Sequence, residues 1–133
     1  MAESIELEVA TPERAVVSEQ VTNVQVPGAD GYMGILPGHA PLLSLLGSGV
    51  LSYTAAGERR CLAVQGGLLE VLEGQVRVLA NIAELAEDID LAKARADLER
   101  AQRDLEAASA GDPAAALETV ALARARVAAA EGK

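Results

Sequence analysis

Arg59-Arg60-Cys61-Leu62-Ala63-Val64-Gln65-Gly66-Gly67-Leu68-Leu69-Glu70-Val71-Leu72-Glu73-Gly74-Gln75-Val76-Arg77-Val78-Leu79-Ala80 is the run that decides how this chain folds. It divides into three short apolar segments, Arg59–Gln65, Leu68–Leu72 and Gln75–Ala80, separated by Gly66-Gly67 and Glu73-Gly74. A fourth segment, Val50–Thr54, precedes them across Ala56-Gly57, so turn signals return every eight or nine residues. Helices need longer uninterrupted runs, whereas short strands with glycine turns at this spacing build an antiparallel sandwich or barrel.

The same pattern extends back to the start. Ile5, Leu7 and Val9 alternate with Ser4, Glu6 and Glu8, the period of a half-buried strand. Thr11-Pro12-Glu13 breaks it, Val16-Val17 starts a second segment, and Thr22, Val24 and Val26 alternate with Asn23 and Gln25. Pro27-Gly28-Ala29-Asp30-Gly31 is turn chemistry, because proline presets one dihedral and glycine supplies a positive φ. It opens a loop, Gly31–Leu43, holding three glycines, two prolines and the only histidine, His39.

Downstream the composition changes. Ten of the twelve glycines lie before residue 84, and sixteen alanines lie between Ala92 and Ala130. Leu91, Ala94, Leu98, Ala101, Leu105 and Ala108 step by three and four, lining one face of a helix whose other side carries Asp97, Arg100, Arg103 and Asp104. Ser109-Ala110-Gly111 is a stop; Asp112 offers an N-cap and Pro113 fits the first helical position of a second helix. That helix has its seam at Ala116, Val120, Ala123, Val127 and Ala130, with Leu117 beside it. The expected fold is therefore α+β: an N-terminal antiparallel β-sandwich over residues 1–84, then a C-terminal antiparallel two-helix hairpin over residues 85–133. Alanine keeps each helix helical with little support, while few large apolar residues are available to hold the pair down. Light, reversible docking of the hairpin follows.

Charge and composition exclude several functions. A net charge of −9 disfavours nucleic acid and anionic lipid, both of which need clustered Lys and Arg. No apolar run reaches membrane-spanning length, and the acidic N-terminus lacks the basic start of a signal peptide, so a cytoplasmic location is expected. The lone Cys61 and the lone His39 cannot form a disulfide or a zinc site, and Cys61 reads as a small buried hydrophobe or an idle surface thiol. Ser44 and Ser48 follow His39 without a Gly-x-Ser-x-Gly elbow, and Gly47-Ser48-Gly49 lacks a phosphate-binding fingerprint. The acidic group Glu84, Glu87, Asp88 and Asp90 reads as carboxylates favouring a helix N-terminus rather than as a cation site. No catalytic or metal-binding residue is expected.

Three stretches in this order, Gly34-Ile35-Leu36-Pro37-Gly38-His39-Ala40-Pro41-Leu42, Val64-Gln65-Gly66-Gly67-Leu68-Leu69-Glu70-Val71 and Glu87-Asp88-Ile89-Asp90, resemble the epsilon subunit of bacterial-type F-type ATP synthases. The likeness covers essentially the whole chain. It implies a β-sandwich of about ten strands that grips the gamma shaft and rests on the c-ring. It also implies two C-terminal helices that either lie folded on the sandwich or extend towards the alpha/beta head to block ATP hydrolysis. Such a protein is an accessory rotor subunit, peripheral at the cytoplasmic face of the membrane, touching the membrane only through the complex and requiring no cofactor.

The resemblance also assigns residues. Tyr32 and His39 would lie at or near the rotor interface, where Pro37 and Pro41 stiffen the loop before it binds. Some members bind ATP on the folded hairpin through Ile/Leu-Asp-x-x-Arg-Ala and second-helix arginines; here Asp90, Lys93 and Arg124 occupy such positions. Lysine cannot reproduce the planar fork of arginine, so ATP is expected to bind weakly or not at all. An ATP-sensing hairpin module is the alternative function, and it predicts compaction of the isolated chain by ligand.

Overall fold

The computed structural model describes residues 3–108 and 113–132. Eight strands come first: β1 (Ile5–Ala10), β2 (Ala15–Val21), β3 (Asn23–Gly28), β4 (Gly31–Ile35), β5 (Leu42–Leu45), β6 (Ser48–Ala55), β7 (Glu58–Leu72) and β8 (Gln75–Leu85). A single 3-10 turn, Ala86–Asp88, leads to α1 (Leu91–Ala107) and α2 (Ala114–Glu131).

Gly66-Gly67 is not a turn between strands. It lies inside the fifteen-residue β7, with φ of +67° and +118°. Both values suit glycine, and a Cβ at Gly67 would collide with the carbonyl oxygen of Leu79 on β8. The register across β7 and β8 runs Gln65–Ile82 and then Gly67–Ala80, so the pairing is interrupted at Gly66 and Asn81 without a change of register. This bend lets one hairpin serve two sheets. The first half of β7 pairs with β6, and its second half pairs with β5. The first half of β8 also pairs with β1, the one parallel contact between strands among the described residues.

Two five-stranded layers result: β2, β1, the start of β8, the end of β7 and β5 on one side; the end of β8, the start of β7, β6, β3 and β4 on the other. Eight strands thus do the work of about ten, as a sandwich built on corner-turning strands can. The core between the layers contains Leu7, Val9, Val24, Val26, Ile35, Leu51, Leu62, Val64, Leu69, Val71, Val76 and Val78, all nearly inaccessible. The expected loop at Gly31–Leu43 is mostly strand: its first five residues are β4, and β5 begins at Leu42. The last strand runs past Ala80 to Leu85, five residues beyond its expected end.

α2 packs onto the second layer, and α1 lies antiparallel against α2. Asp90 caps α1, its carboxylate accepting from the Lys93 amide at 3.1 Å. Pro113 has helical dihedrals (φ −82°, ψ 0°) and accepts from the Leu117 amide at the start of α2; the expected stop at Ser109–Gly111 and the Asp112 cap lie outside the described residues. Ala94 and Ala101 of α1 are buried, as the seam requires. α2 differs from its one-sided reading, because Val120 and Ala123 are buried with Leu98 and Leu105 of α1, while Ala125 and Ala129 are buried towards the sheet. A helix covered on two sides has no single apolar stripe to read.

Candidate functional site

The second layer turns small side chains outward. Cross-strand pairs Val50–Ala63 and Ser52–Cys61 present a low surface, against which Ala125, Ala129 and Ala130 of α2 pack. With no bulky group between them, the helix backbone lies close to the sheet: the Cys61 thiol donates to the Ala129 carbonyl at 3.4 Å. Gln65 Nε2 reaches the Glu118 carbonyl at 2.8 Å and also donates to Ser48 Oγ at 3.0 Å.

A charged clamp closes the joint. Arg126 Nε donates to Glu84 Oε1 at 2.7 Å, Nη2 to Glu84 Oε2 at 3.4 Å, and Nη1 to Asp97 Oδ2 at 3.1 Å. One guanidinium therefore ties α2 to β8 of the sandwich and to α1. The planar fork allows this, since it engages one carboxylate with two nitrogens and keeps a third for another. Arg126 is held more firmly protonated than usual, chiefly by its hydrogen bonds to Glu84 and against the opposing effect of burial. Glu84 does not belong to a helix N-terminus, as its acidic neighbourhood suggested. It stands on β8 as the anchor of the clamp. Arg126 carries no motif in the sequence; the one signal is an arginine on a helix rich in alanine, with acidic residues on two neighbouring elements.

Elsewhere the outer surface is bare. On the first layer Leu45, Leu68 and Leu79 sit side by side across β5, β7 and β8, with Leu43 further along β5. Leu43 is 66% exposed, Leu45 65% and Leu79 41%. Glu70, Arg77 and Glu8 form an adjoining charged row, Arg77 Nε lying 3.4 Å from Glu8. An exposed apolar patch rimmed by charge stands out on an otherwise acidic protein.

The residues singled out in the sequence fall in separate places. His39 lies in the turn after β4, where its Nδ1 donates to the carbonyl of Ala40 at 2.7 Å, and it lines a hollow with Glu3, Pro37, Pro41 and Glu73. Ser44 Oγ donates to the Leu45 carbonyl and Ser48 accepts from Gln65, so neither serine is paired with His39 among the described residues. Tyr32 lies across β6, its hydroxyl accepting from the Val50 amide at 2.9 Å, in a hollow shared with Arg124. Neither Asp90 nor Lys93 lines that hollow. Among the described residues there is no cluster of three or more His, Cys, Asp or Glu side chains, and no helix is long and apolar enough to cross a membrane.

An open leucine face on one side and a clamped helical hairpin on the other define an assembly subunit, built to be held by neighbours. A family model of the ATP synthase delta/epsilon chain β-sandwich domain matches residues 4–86. An ATP synthase epsilon chain from Solibacter usitatus is 62% identical over 96 residues, covering 72% of each chain. One from Carboxydothermus hydrogenoformans is 50% identical over 95 residues, covering 71% of each. Among solved structures, a chain of the Euglena gracilis mitochondrial ATP synthase, in a structure containing OSCP, F1 and the c-ring, superposes with a TM-score of 0.75 at 23% identity, over 97% of this chain and 80% of that one. That likeness is one of fold. The chain belongs to the ATP synthase epsilon chain family.

Proposed function

We propose that this chain is a non-catalytic rotor subunit that joins the gamma shaft to the c-ring and restrains ATP hydrolysis through its two helices. The observation that carries the reading is the difference between the sandwich's two outer faces. One is bare leucine, suited to permanent cover by the shaft; the other is closed by α2 through small side chains and one charged clamp. Burying the leucines supplies a durable attachment. The helical cover, by contrast, loses little apolar contact on release and stays helical without it, as a two-position switch requires. Tyr32 and His39 contribute at the edge of the rotor interface, and Tyr32 becomes fully available only when the hairpin is released. The protein works at the cytoplasmic face of the membrane, which it meets through the complex alone.

ATP is at most a weak regulatory ligand of the hairpin, through Asp90, Lys93 and Arg124. The Asp90 carboxylate already caps α1, and Arg124 faces a hollow to which the other two do not contribute. Micromolar affinity in a calorimetric titration would revive the ATP-sensor reading.

ATPase measurement on the head assembled with the full chain and with a chain lacking residues 89–133 tests the main proposal. The full chain should co-purify with gamma and slow hydrolysis, and the shortened one should co-purify without slowing it. Equal hydrolysis with both, or no retention of either on gamma, overturns the reading.

A further inference from the structure

β8 stops short of its partner. The ladder between β7 and β8 ends at Leu62–Leu85, although β7 begins at Glu58. Residues Glu58 to Cys61 pair with β6 along one edge and have no strand on the other among the described residues. Beside that bare edge lies a hollow of about 300 Å³, lined by Arg59, Arg60 and Cys61 on one side and by Leu85, Ala86 and Glu87 on the other. An open edge presents backbone N–H and C=O groups on which a further strand can pair.

The segment that leaves β8 matches the edge it bypasses. Continued past Leu62–Leu85 in the same register, the ladder sets Cys61 opposite Ala86, Arg60 opposite Glu87, Arg59 opposite Asp88 and Glu58 opposite Ile89. Two of these pairs set arginine against a carboxylate, in a chain with only eleven Lys and Arg. In the docked form the charges are not spent on one another. Arg60 lies 3.6 Å from Glu19 and 3.7 Å from Glu58, while Arg59, Glu87 and Asp88 form no ion pair among the described residues. The backbone is nearly in place. Leu85 (φ −65°, ψ 140°), Ile89 (φ −92°, ψ 125°) and Asp90 (φ −79°, ψ 109°) are already extended, so the 3-10 turn Ala86–Asp88 is all that has to unwind. The Ile89 amide closes that turn by donating to the Ala86 carbonyl at 3.2 Å.

We propose that when α2 leaves the sandwich, the four residues from Ala86 to Ile89 pair with the bare edge of β7 and continue β8. The released hairpin then has contacts of its own at its root, as a two-position device needs, because each position is populated only through interactions specific to it. Cross-strand pairs of opposite charge supply part of them. Ala86 and Ile89 lose their cover in the same step, since both are buried in one cluster with Ala125, Ala129 and Ala130 of α2. Four further residues of strand move the root of the hairpin by up to about 13 Å along β7. The inference rests on the proposed release of the hairpin, not on what release does to hydrolysis.

Amide hydrogen exchange in α2 of the full chain tests this, because charge reversals along the edge act on the released form. Arg59→Glu alone and Asp88→Arg alone should each slow that exchange about two- to fivefold, and the two together should return it to the wild-type rate. Arg14→Glu, in the turn before β2, should leave it unchanged. A second measurement reads the strand directly. Ala125→Glu with Ala129→Glu sets charges against the sheet and holds the full chain in its released form. Carbon-13 NMR shifts at Ala86, Glu87 and Asp88 should then be those of a strand, with nuclear Overhauser contacts between Arg59 and Asp88. Coil or 3-10 shifts at those three residues beside helical shifts in α1 and α2 overturn the proposal. So does exchange that neither reversal slows, or a double reversal that fails to restore it. Hydrolysis by the assembled head enters none of these readings, so failure of the proposed restraint and failure of this inference are told apart.

Discussion

Gly67 occupies the point where one strand passes from one sheet to the other, and both its dihedral and its surroundings demand glycine. At φ +118°, any side chain is strained, and a Cβ would meet the Leu79 carbonyl of the neighbouring strand. Gly67→Ala should therefore destabilise the sandwich by about 2–4 kcal/mol, combining backbone strain with a clash that cannot relax by side-chain rotation. Urea unfolding followed by far-UV circular dichroism checks this; a loss below about 0.5 kcal/mol would mean the bend tolerates a Cβ. Tyr53 makes a second residue-scale prediction. Burial, then its 2.8 Å hydrogen bond to Glu19 and the charge of that carboxylate, push its pKa up from 10.0 to about 12, and the nearby Arg60 only partly offsets them. A pKa raised by folding means stability that is complete below pH 10 and lost as pH climbs through about 12. The wild type should lose at most about 2 kcal/mol over that window. Tyr53→Phe should show a flatter alkaline profile, and identical profiles would exclude Tyr53 as the cause.

At the scale of elements, the two helices illustrate what a pattern can and cannot convey. α1 was legible, since it buries one side and exposes the other, and Ala94 and Ala101 appear where the spacing placed them. α2 was legible as a helix but not in its contacts, because alanines on two sides face two different neighbours. The strands followed their alternation closely. Gly66-Gly67 misled because a bend inside a strand and a turn ask for the same residue, and only the pairing of β7 with β8 on both sides of it separates them. The clamp was legible only as residue types, an arginine on an alanine-rich helix and acids on its neighbours, because Glu84, Asp97 and Arg126 are far apart in the chain and carry no motif. Its importance is nevertheless testable. Arg126→Gln leaves half-buried Glu84 without its cation and Asp97 with Arg100 alone, which should weaken hairpin docking by about 1–3 kcal/mol. Amide hydrogen exchange in α2 should quicken while β1, β2 and β3 keep their protection. Equal loss of protection in sandwich and helix would show that the two unfold as one unit, and would refute a separable joint.

For the whole molecule, the arrangement places two attachments of different character on opposite layers. The leucine face is apolar, broad and uncovered, so its association with a partner draws on area removed from water. The hairpin joint relies on alanine contacts, a clamp and two hydrogen bonds from Gln65 and Cys61. Each can therefore be damaged without the other. Leu43→Asp with Leu45→Asp puts two charges into the apolar face at positions 66% and 65% exposed in the free chain, where nothing in the fold itself opposes them. Thermal stability should change little, and exchange in α2 should remain that of the wild type. Binding to gamma should fall about a hundredfold or more, because each carboxylate must either be buried unpaired or hold the surfaces apart. Arg126→Gln should show the converse: wild-type affinity for gamma with a loosened hairpin. If the double aspartate variant bound gamma as tightly as the wild type, the shaft would have to seat elsewhere on the sandwich. If Arg126→Gln lost gamma binding as well, the two layers would be coupled rather than independent, and release of the hairpin would endanger the attachment it is meant to leave intact.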